Sequence, residues 1–170
     1  MKLNPKFNYP KSIRAYYNGQ RLYDVNNEKL PSVTTILSFT KSKEDKESLE
    51  RWRKKVGTAA AEKITREATS RGSAMHDFLE KFLLGKLNLD LLGDNSLERQ
   101  MADQIIENGL RNRVNEIFGV EVCLFYPHRY AGAADLICEY EGKLSVVDFK
   151  NSNQLRSDQW NTDYYLQLSA

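Results

Sequence analysis

Residues 131–150 read AGAADLICEYEGKLSVVDFK, and this stretch decides the fold. Two β-favouring runs, residues 131–140 and 143–149, flank the dipeptide Glu141-Gly142, which is typical of a tight two-residue turn. Apolar side chains dominate both runs, so each strand is expected to be covered on both faces. The stretch therefore predicts an antiparallel β-hairpin inside the protein.

The register of this hairpin brings two acidic residues together. A two-residue turn pairs Tyr140 with Lys143, so Asp135 lies directly opposite Asp148. Opposed residues are about 5 Å apart at Cβ, and two carboxylates at that distance repel each other unless a cation lies between them. Lys150 follows Asp148 by two residues and therefore lies on the same face. We predict a metal site with an ammonium group beside it; the alternative is a cross-strand salt bridge at a sheet end.

The donor types indicate the metal and the reaction. Carboxylate oxygens with at most one histidine favour Mg²⁺ or Mn²⁺, whereas zinc is usually bound by more nitrogen or sulfur ligands. A hard cation beside a lysine is suited to hydrolysis of a phosphodiester bond. In that chemistry the metal polarises the phosphate and lowers the pKa of a bound water, while Lys150 orients the water or stabilises the charge that develops on phosphorus.

A helical segment upstream supplies further candidate ligands. Its apolar stripe consists of Met75, Phe78, Leu79, Phe82 and Leu83. His76 and Glu80 lie one turn apart along the edge of this stripe, so both side chains can face a cleft. Gly72, one turn earlier, would let the backbone approach a phosphate. The alternative is that His76 and Glu80 form an ordinary exposed helical pair.

The remaining periodicity predicts helices before residue 119 and strands after it. Asn18-Gly19, between two β-favouring runs, predicts a hairpin over residues 13–25, and Ser32 is placed to cap a short helix. The longer predicted helices are residues 41–56, residues 58–84 with an interruption at Arg71-Gly72, and residues 96–118. A strand over residues 120–126 completes an antiparallel meander. Loops are expected at residues 90–95 and 151–160, and a further helix begins at Asp163.

Composition excludes several classes of protein. A chain of 170 residues that is 41% hydrophobic and 28% charged fits one globular domain with a sizeable core. No apolar run approaches the roughly 20 residues of a membrane helix, and the first residues lack the apolar stretch of a signal peptide. We expect a soluble cytoplasmic protein without membrane contacts. Cys123 and Cys138 are too few for a disulfide scaffold or a four-cysteine cluster.

The net charge of +2 conceals a strong asymmetry along the chain. The first 71 residues hold 16 Lys+Arg and 8 Asp+Glu, whereas the remaining 99 hold 9 and 15. A basic segment binds polyanions, and an acidic one can hold cations. Aromatic residues alternate with the basic ones around Arg14, Arg21, Arg51 and Trp52, a composition that suits a groove for single-stranded DNA. The alternative is a solvated helix face with the aromatic rings in the core.

Four short motifs occur in an order that resembles a known family. They are Arg71-Gly72-Ser-Ala-Met-His76-Asp-Phe-Leu-Glu80, Gly132-Ala-Ala-Asp135, Asp148-Phe149-Lys150 and Gln167-Leu-Ser-Ala170. Together they are similar to the RecB-type branch of the PD-(D/E)XK nuclease superfamily. The segments Pro31-Ser32-Val33-Thr34 and Glu50-Arg51-Trp52 further resemble the exonucleases of mitochondrial genome maintenance and related phage exonucleases.

The resemblance implies roles for individual residues. Those expected to contact the metal are His76, Asp135, Asp148 and the carbonyl of Phe149. It implies that Lys150 is the catalytic lysine and that Gln167 contacts DNA or supports the site. Glu80 and Glu121 match acidic residues of the close relatives, and for Glu121 we expect a supporting role in packing or hydrogen bonding. The residues expected to bind DNA are Arg51, Trp52, Arg71 and Gly72.

The resemblance also implies a fold and an activity. We expect an α/β domain with a restriction-endonuclease-like core, in which helices flank a central mixed sheet that contains the meander. Its parts would be a β-ribbon (1–30), a helical DNA-binding part (31–118) and a catalytic sheet (119–170), truncated because the family's motif tyrosine would follow Ala170. The expected function is a Mg²⁺- or Mn²⁺-dependent DNA exonuclease acting on single-stranded ends, in the host cytoplasm if a phage encodes it. The alternatives are an endonuclease of the same superfamily and a non-catalytic DNA-binding module.

Overall fold

The structure, a computed structural model, describes residues 1–87, 95–152 and 161–170. Most of the loops expected at residues 90–95 and 151–160 therefore lies outside the described residues. The strands are β1 (Lys2–Leu3), β2 (Ser12–Tyr17), β3 (Gln20–Val25), β4 (Glu28–Pro31), β5 (Val114–Tyr126), β6 (Tyr130–Tyr140) and β7 (Lys143–Val147). The α-helices are α1 (Val33–Thr40), α2 (Lys43–Val56), α3 (Thr58–Leu83), α4 (Leu97–Ile105) and α5 (Thr162–Ser169).

The larger sheet is mixed and has the strand order β1-β5-β6-β7. β1 pairs with β5 in parallel, and the other neighbours are antiparallel. The β6–β7 register runs from Tyr140↔Lys143 to Leu136↔Val147, which confirms the predicted two-residue turn and its register. The described chain is thus an α/β fold with an antiparallel meander in a mixed sheet, as expected.

The core lies between α3, α4 and the larger sheet. Met75, Leu79 and Leu83 are buried, and Phe78 and Phe82 pack against them, which confirms the predicted apolar stripe of α3. The sheet contributes Ile117, Leu136 and Cys138 to the same core. Each fully buried large side chain of this kind contributes about 1.5–3 kcal/mol. This packing fixes the rotation of α3, and with it the direction of the side chains along its edge.

The smaller sheet consists of β2, β3 and β4 and contains the predicted hairpin. Asn18 and Gly19 both have positive φ, as a turn that matches the twist of the strands requires. The Oγ atom of Ser32 accepts the N–H of Thr35 at 3.0 Å, so the predicted cap of α1 is also confirmed. The N-terminal part is not all ribbon, however, because β1 belongs to the larger sheet.

Two predicted features of the helical part are wrong. The helix expected over residues 96–118 ends after a π-helical turn at Ile106–Leu110, and strand β5 begins at Val114 rather than at residue 120. Asn112, at φ 64°, ends the helical run, since asparagine tolerates the left-handed region. Helix α3 shows no interruption at Arg71-Gly72, because Gly72 stays helical and makes room for the side chain of Asn151. None of the described helices is both long and apolar enough to cross a membrane.

Candidate active site

A cleft of about 630 Å³ lies between α3, the smaller sheet and one region of the larger sheet. Most of the predicted site residues line it: Gly72, His76, Glu80, Glu121, Asp135, Asp148, Lys150 and Gln167. Phe149 is buried beside the cleft and contacts His76 and Asp135 through its backbone. The fold therefore brings together residues that are up to 95 positions apart in the sequence, from Gly72 on helix α3 to Gln167 on helix α5.

Three carboxylates lie on or next to neighbouring strands of the larger sheet. Asp135 lies in the central strand β6, and the paired residues on either side align it with Glu121 of β5. On the other side, the β6–β7 pairing ends at Leu136↔Val147, and Asp148, the next residue after β7, lies close enough for its charge to act on Asp135. Neighbouring residues on adjacent strands share a face, so all three carboxylates can reach the cleft. Glu121 has a φ of 51°, a strained conformation for a residue with a side chain.

His76 faces two of these carboxylates. Its Nδ1 atom is 3.6 Å from Oδ1 of Asp135 and 3.9 Å from Oε1 of Glu121. Its Nε2 atom is 3.0 Å from the carbonyl oxygen of Phe149, and since a carbonyl only accepts, Nε2 carries the proton. This bond leaves Nδ1 of the neutral ring with a lone pair directed at the carboxylates, the arrangement that metal-binding histidines commonly show. Protonation of Nδ1 allows it to donate to Glu121, and this interaction raises the pKa of His76 against the opposing effect of burial.

Asp135 is buried, with 8% of its surface exposed. Burial raises its pKa to about 6, while the N–H of Phe149, which donates to Oδ2 at 2.6 Å, and the neighbouring His76 act in the opposite direction. The charges of Asp148 and Glu121 raise the pKa further. A buried carboxylate among other acids binds either a proton or a cation, so the surroundings of Asp135 favour a metal ion.

Asp148 has partners of a different kind. It forms an ion pair with Lys150, and the side-chain amide of Gln167 donates to its Oδ1 at 3.1 Å. Lys150 Nζ also lies 5.4 Å from the ring centroid of Tyr164. Gln167, on α5, thus holds Asp148, and the ammonium of Lys150 lies next to this carboxylate although residues 148–150 lie beyond the end of β7.

Ligand atoms of His76, Glu121 and Asp135 all lie within 4.8 Å of one another, so these three residues could hold one metal ion. One imidazole nitrogen and two carboxylates are a donor set that fits a hard or borderline divalent cation. The sequence predicts His76 and Asp135 as ligands, together with Asp148 and the Phe149 carbonyl, whereas it predicts only a supporting role for Glu121. The signal for Glu121 was a lone acid in the apolar run Val120-Glu121-Val122.

The structure does not bring every predicted DNA-binding residue to the cleft. Arg51, Trp52 and Arg71 are not among the described residues that line the cleft. Arg51 lies on α2 and pairs with Glu47 at 3.8 Å. Apart from Lys150, the Lys and Arg side chains that line the cleft within the described part of the chain are Arg14 and Arg21 of the smaller sheet.

Comparison with known proteins gives a consistent result for most of the chain. No family model matches the sequence. The chain is 28% identical over 130 residues to mitochondrial genome maintenance exonuclease 1 of Homo sapiens, a match that covers 74% of this chain and 37% of the human protein. It is 32% identical over 133 residues to the Mus musculus protein, covering 74% and 38%, and 29% identical over 136 residues to that of Xenopus tropicalis, covering 75% and 38%. The chain therefore spans less than two fifths of the length of these relatives, and over that span it is similar to proteins named as exonucleases.

Proposed function

We propose that this protein is a metal-dependent deoxyribonuclease of the PD-(D/E)XK superfamily that removes nucleotides from the ends of single-stranded DNA. The similarity to proteins named as exonucleases supports a nuclease. The observation that carries the proposal is the group formed by His76, Glu121 and Asp135, with the ammonium of Lys150 bound to the adjacent Asp148. We also propose a restriction-endonuclease-like core and a relationship to phage exonucleases, and the four sequence motifs are the basis for both. The relatives' name refers to mitochondria, and the cytoplasmic location expected from the sequence stays a prediction.

The donor set fits a divalent cation. His76, Glu121 and Asp135 would hold it, and Asp148 and the Phe149 carbonyl stay predicted further ligands. Carboxylate oxygens with a single imidazole favour Mg²⁺ or Mn²⁺. When bound, such an ion polarises the scissile phosphate and lowers the pKa of a coordinated water.

The side chains of the cleft then have distinct tasks. The Phe149 carbonyl holds the His76 ring so that Nδ1 faces the carboxylates. Lys150 is positioned to orient the attacking water or to stabilise the negative charge on the phosphoryl oxygens as the water adds and the ester P–O bond breaks. Gln167 and Lys150 together hold Asp148, which keeps its carboxylate beside Asp135.

The test uses purified protein with end-labelled linear and covalently closed circular single-stranded DNA. With Mg²⁺ or Mn²⁺ we expect release of labelled nucleotides from the linear strand and no cutting of the circle. Cutting of the circle would establish an endonuclease. Absence of any cleavage by a chain extended to the length of its relatives would instead support a DNA-binding module. Asp148→Asn is expected to abolish cleavage, whereas Asp163→Asn on α5 serves as a matched control.

A further inference from the structure

Two arginines of the smaller sheet line the same cleft as the acidic residues. Arg14 on β2 and Arg21 on β3 belong to adjacent cross-strand pairs of the same face, because Arg14 pairs with Tyr23 and Arg21 with Tyr16. Tyr23 and Val25 on this face pack onto the larger sheet through Cys123 and Ala131. The arginines therefore belong to a rigid wall that is anchored to the strands carrying the acids.

Arg21 is held by hydroxyl groups. Its Nε donates to Oγ of Ser32 at 3.4 Å, and its Nη2 donates to Oγ1 of Thr34. Ser32 is 1% exposed, and its Oγ also lies 3.0 Å from Oγ1 of Thr34, so the anchor is itself fixed. Neutral hydroxyls orient a guanidinium without cancelling its charge, and its remaining N–H groups stay available to an anion. The Pro31-Ser32-Val33-Thr34 segment therefore orients Arg21, a role that is separate from the proposed hydrolysis.

Neither arginine is neutralised within the described part of the chain. Arg14 is exposed, and neither it nor Arg21 forms an ion pair with a described carboxylate. The cleft is also lined by Asp77, Glu80 and the three carboxylates, which repel the phosphates of a nucleic acid. A phosphate that binds away from the proposed metal and Lys150 therefore requires another cation in the cleft.

An exposed aromatic side chain of the larger sheet also lines the cleft. Tyr126, at the end of β5, lines the same cleft and is 57% exposed. Its ring lies 5.8 Å from that of Tyr130, with an angle of 38° between the planes. The hydroxyl of Tyr130 donates to the carbonyl of Ala170 at 3.1 Å, which holds the second ring in place. A supported and exposed ring in a cleft that is also lined by arginines is suited to stacking on an unpaired nucleobase.

We propose that Arg14, Arg21 and Tyr126 form a nucleotide subsite that binds a backbone phosphate and an unpaired base next to the reacting nucleotide. This inference rests on the proposed function and adds to it a structural basis for selecting single strands. A base within a duplex is stacked on its neighbours and cannot lie on Tyr126. The subsite thus favours single-stranded over double-stranded DNA, whereas the arginines attract both.

The experiment measures binding without cleavage. Fluorescence anisotropy of a labelled oligothymidylate of about 12 nucleotides is recorded in EDTA over a range of salt concentrations, beside a duplex of the same length. Tyr126→Ala is expected to weaken single-strand binding about tenfold and to leave duplex binding unchanged, with Tyr126→Phe near wild type. Arg14→Ala is expected to reduce the slope of log affinity against log salt by about 0.7, and Arg21→Lys to weaken binding because lysine lacks the fork.

The controls keep the same residue types outside the subsite. Tyr17→Ala removes a half-exposed tyrosine from the opposite face of the ribbon, and Arg111→Ala removes an exposed arginine paired with Glu107. Circular dichroism checks that each variant folds. Equal losses for Tyr126→Ala and Tyr17→Ala, or for Arg14→Ala and Arg111→Ala, would overturn the subsite. If the variants change binding as expected but the protein does not cleave DNA with metal, the subsite is supported and the nuclease function is contradicted. If the protein cleaves DNA but none of the variants alters binding, the nuclease function is supported and the subsite is contradicted.

Discussion

Nε2 of His76 donates to the carbonyl oxygen of Phe149 at 3.0 Å, and this bond directs the other ring nitrogen toward Asp135. The N–H of the same residue, Phe149, donates to Asp135. One residue therefore positions two of the proposed metal ligands, one through its carbonyl and one through its amide. Since Phe149 is also buried in the core, the ligand geometry is tied to the packing of the domain.

The first prediction concerns His76. His76→Ala removes the nitrogen donor, so metal affinity is expected to fall by at least about tenfold, with a matching rise in the metal concentration needed for cleavage. His128→Ala, which removes a histidine that pairs with Glu28 on the surface, should leave both quantities unchanged. Isothermal titration with Mn²⁺ measures the affinity. Equal metal affinity in both variants would remove His76 from the ligand set.

The second prediction concerns the stability of the metal-free protein. Burial raises the pKa of Asp135 from 3.8 to about 6. Between these two pH values Asp135 is protonated in the folded protein and ionised in the unfolded chain. The stabilisation is complete below about pH 4 and is lost as the pH rises through about 6. Asp135→Asn cannot ionise, so at neutral pH its free energy of unfolding is expected to exceed that of the wild type by about 3 kcal/mol.

Urea unfolding in EDTA at neutral and acidic pH measures this difference. The gain is expected to disappear near pH 4, where Asp135 of the wild type is protonated. Addition of Mg²⁺ or Mn²⁺ at neutral pH should stabilise the wild type and not the variant. A destabilised Asp135→Asn protein at neutral pH would contradict the pKa argument.

The third prediction separates catalysis from metal binding. Lys150 contacts Asp148 and is not one of the three residues grouped around His76. Lys150→Ala is therefore expected to reduce the rate of cleavage by about a hundredfold or more while the affinity for Mn²⁺ changes little. Lys143→Ala, at the exposed start of β7, is the control with the same change of charge. A parallel loss of rate and metal affinity would show that Lys150 acts on the ligands rather than on the substrate.

The fourth prediction concerns the contact between α3 and the segment after β7. A Cβ at Gly72 would lie 3.1 Å from Oδ1 of Asn151, whose Nδ2 donates to the carbonyl of Ala68 at 3.2 Å. Gly72→Ala raises helix propensity by about 1 kcal/mol but displaces Asn151, the neighbour of Lys150. We expect little change in melting temperature and about a tenfold loss of activity.

The double variant Gly72→Ala/Asn151→Ala tests this explanation, since it removes the side chain that the new methyl group meets. If displacement of Asn151 is the cause, adding Gly72→Ala to Asn151→Ala should cost no further activity. An additional tenfold loss in the double variant would mean that the glycine itself contacts the substrate.

The hairpin over residues 131–147 could be predicted because its turn sets its register locally. The stripe of α3 was equally local, and these two elements were enough to place His76, Asp135 and Asp148 at one cleft. The start of β5 could not be predicted in this way. Ile106, Leu110, Val114 and Phe118 recur every four residues and so imitate one face of a helix.

Two further features depend on contacts between distant segments. Arg14 and Arg21 reach the cleft because the smaller sheet packs onto β5 and β6, which no periodicity reports. The alignment of Glu121 with Asp135 depends on a register that shifts between Ile117 and Gly119, and an irregularity of that kind leaves no short-range pattern. Sequence reasoning therefore located the ligands on the hairpin and on α3, while the third carboxylate and the arginine wall required the tertiary structure.

The parallel pairing of β1 with β5 has a consequence for the order of folding. Asn4 donates to Glu116 across 112 positions, and its backbone N–H donates to the carbonyl of Ile117. During synthesis β1 can therefore join the sheet only after β5 has emerged from the ribosome. Closure of so long a loop is slow, which makes docking of the N-terminal strand a late event, after the β6–β7 hairpin has formed.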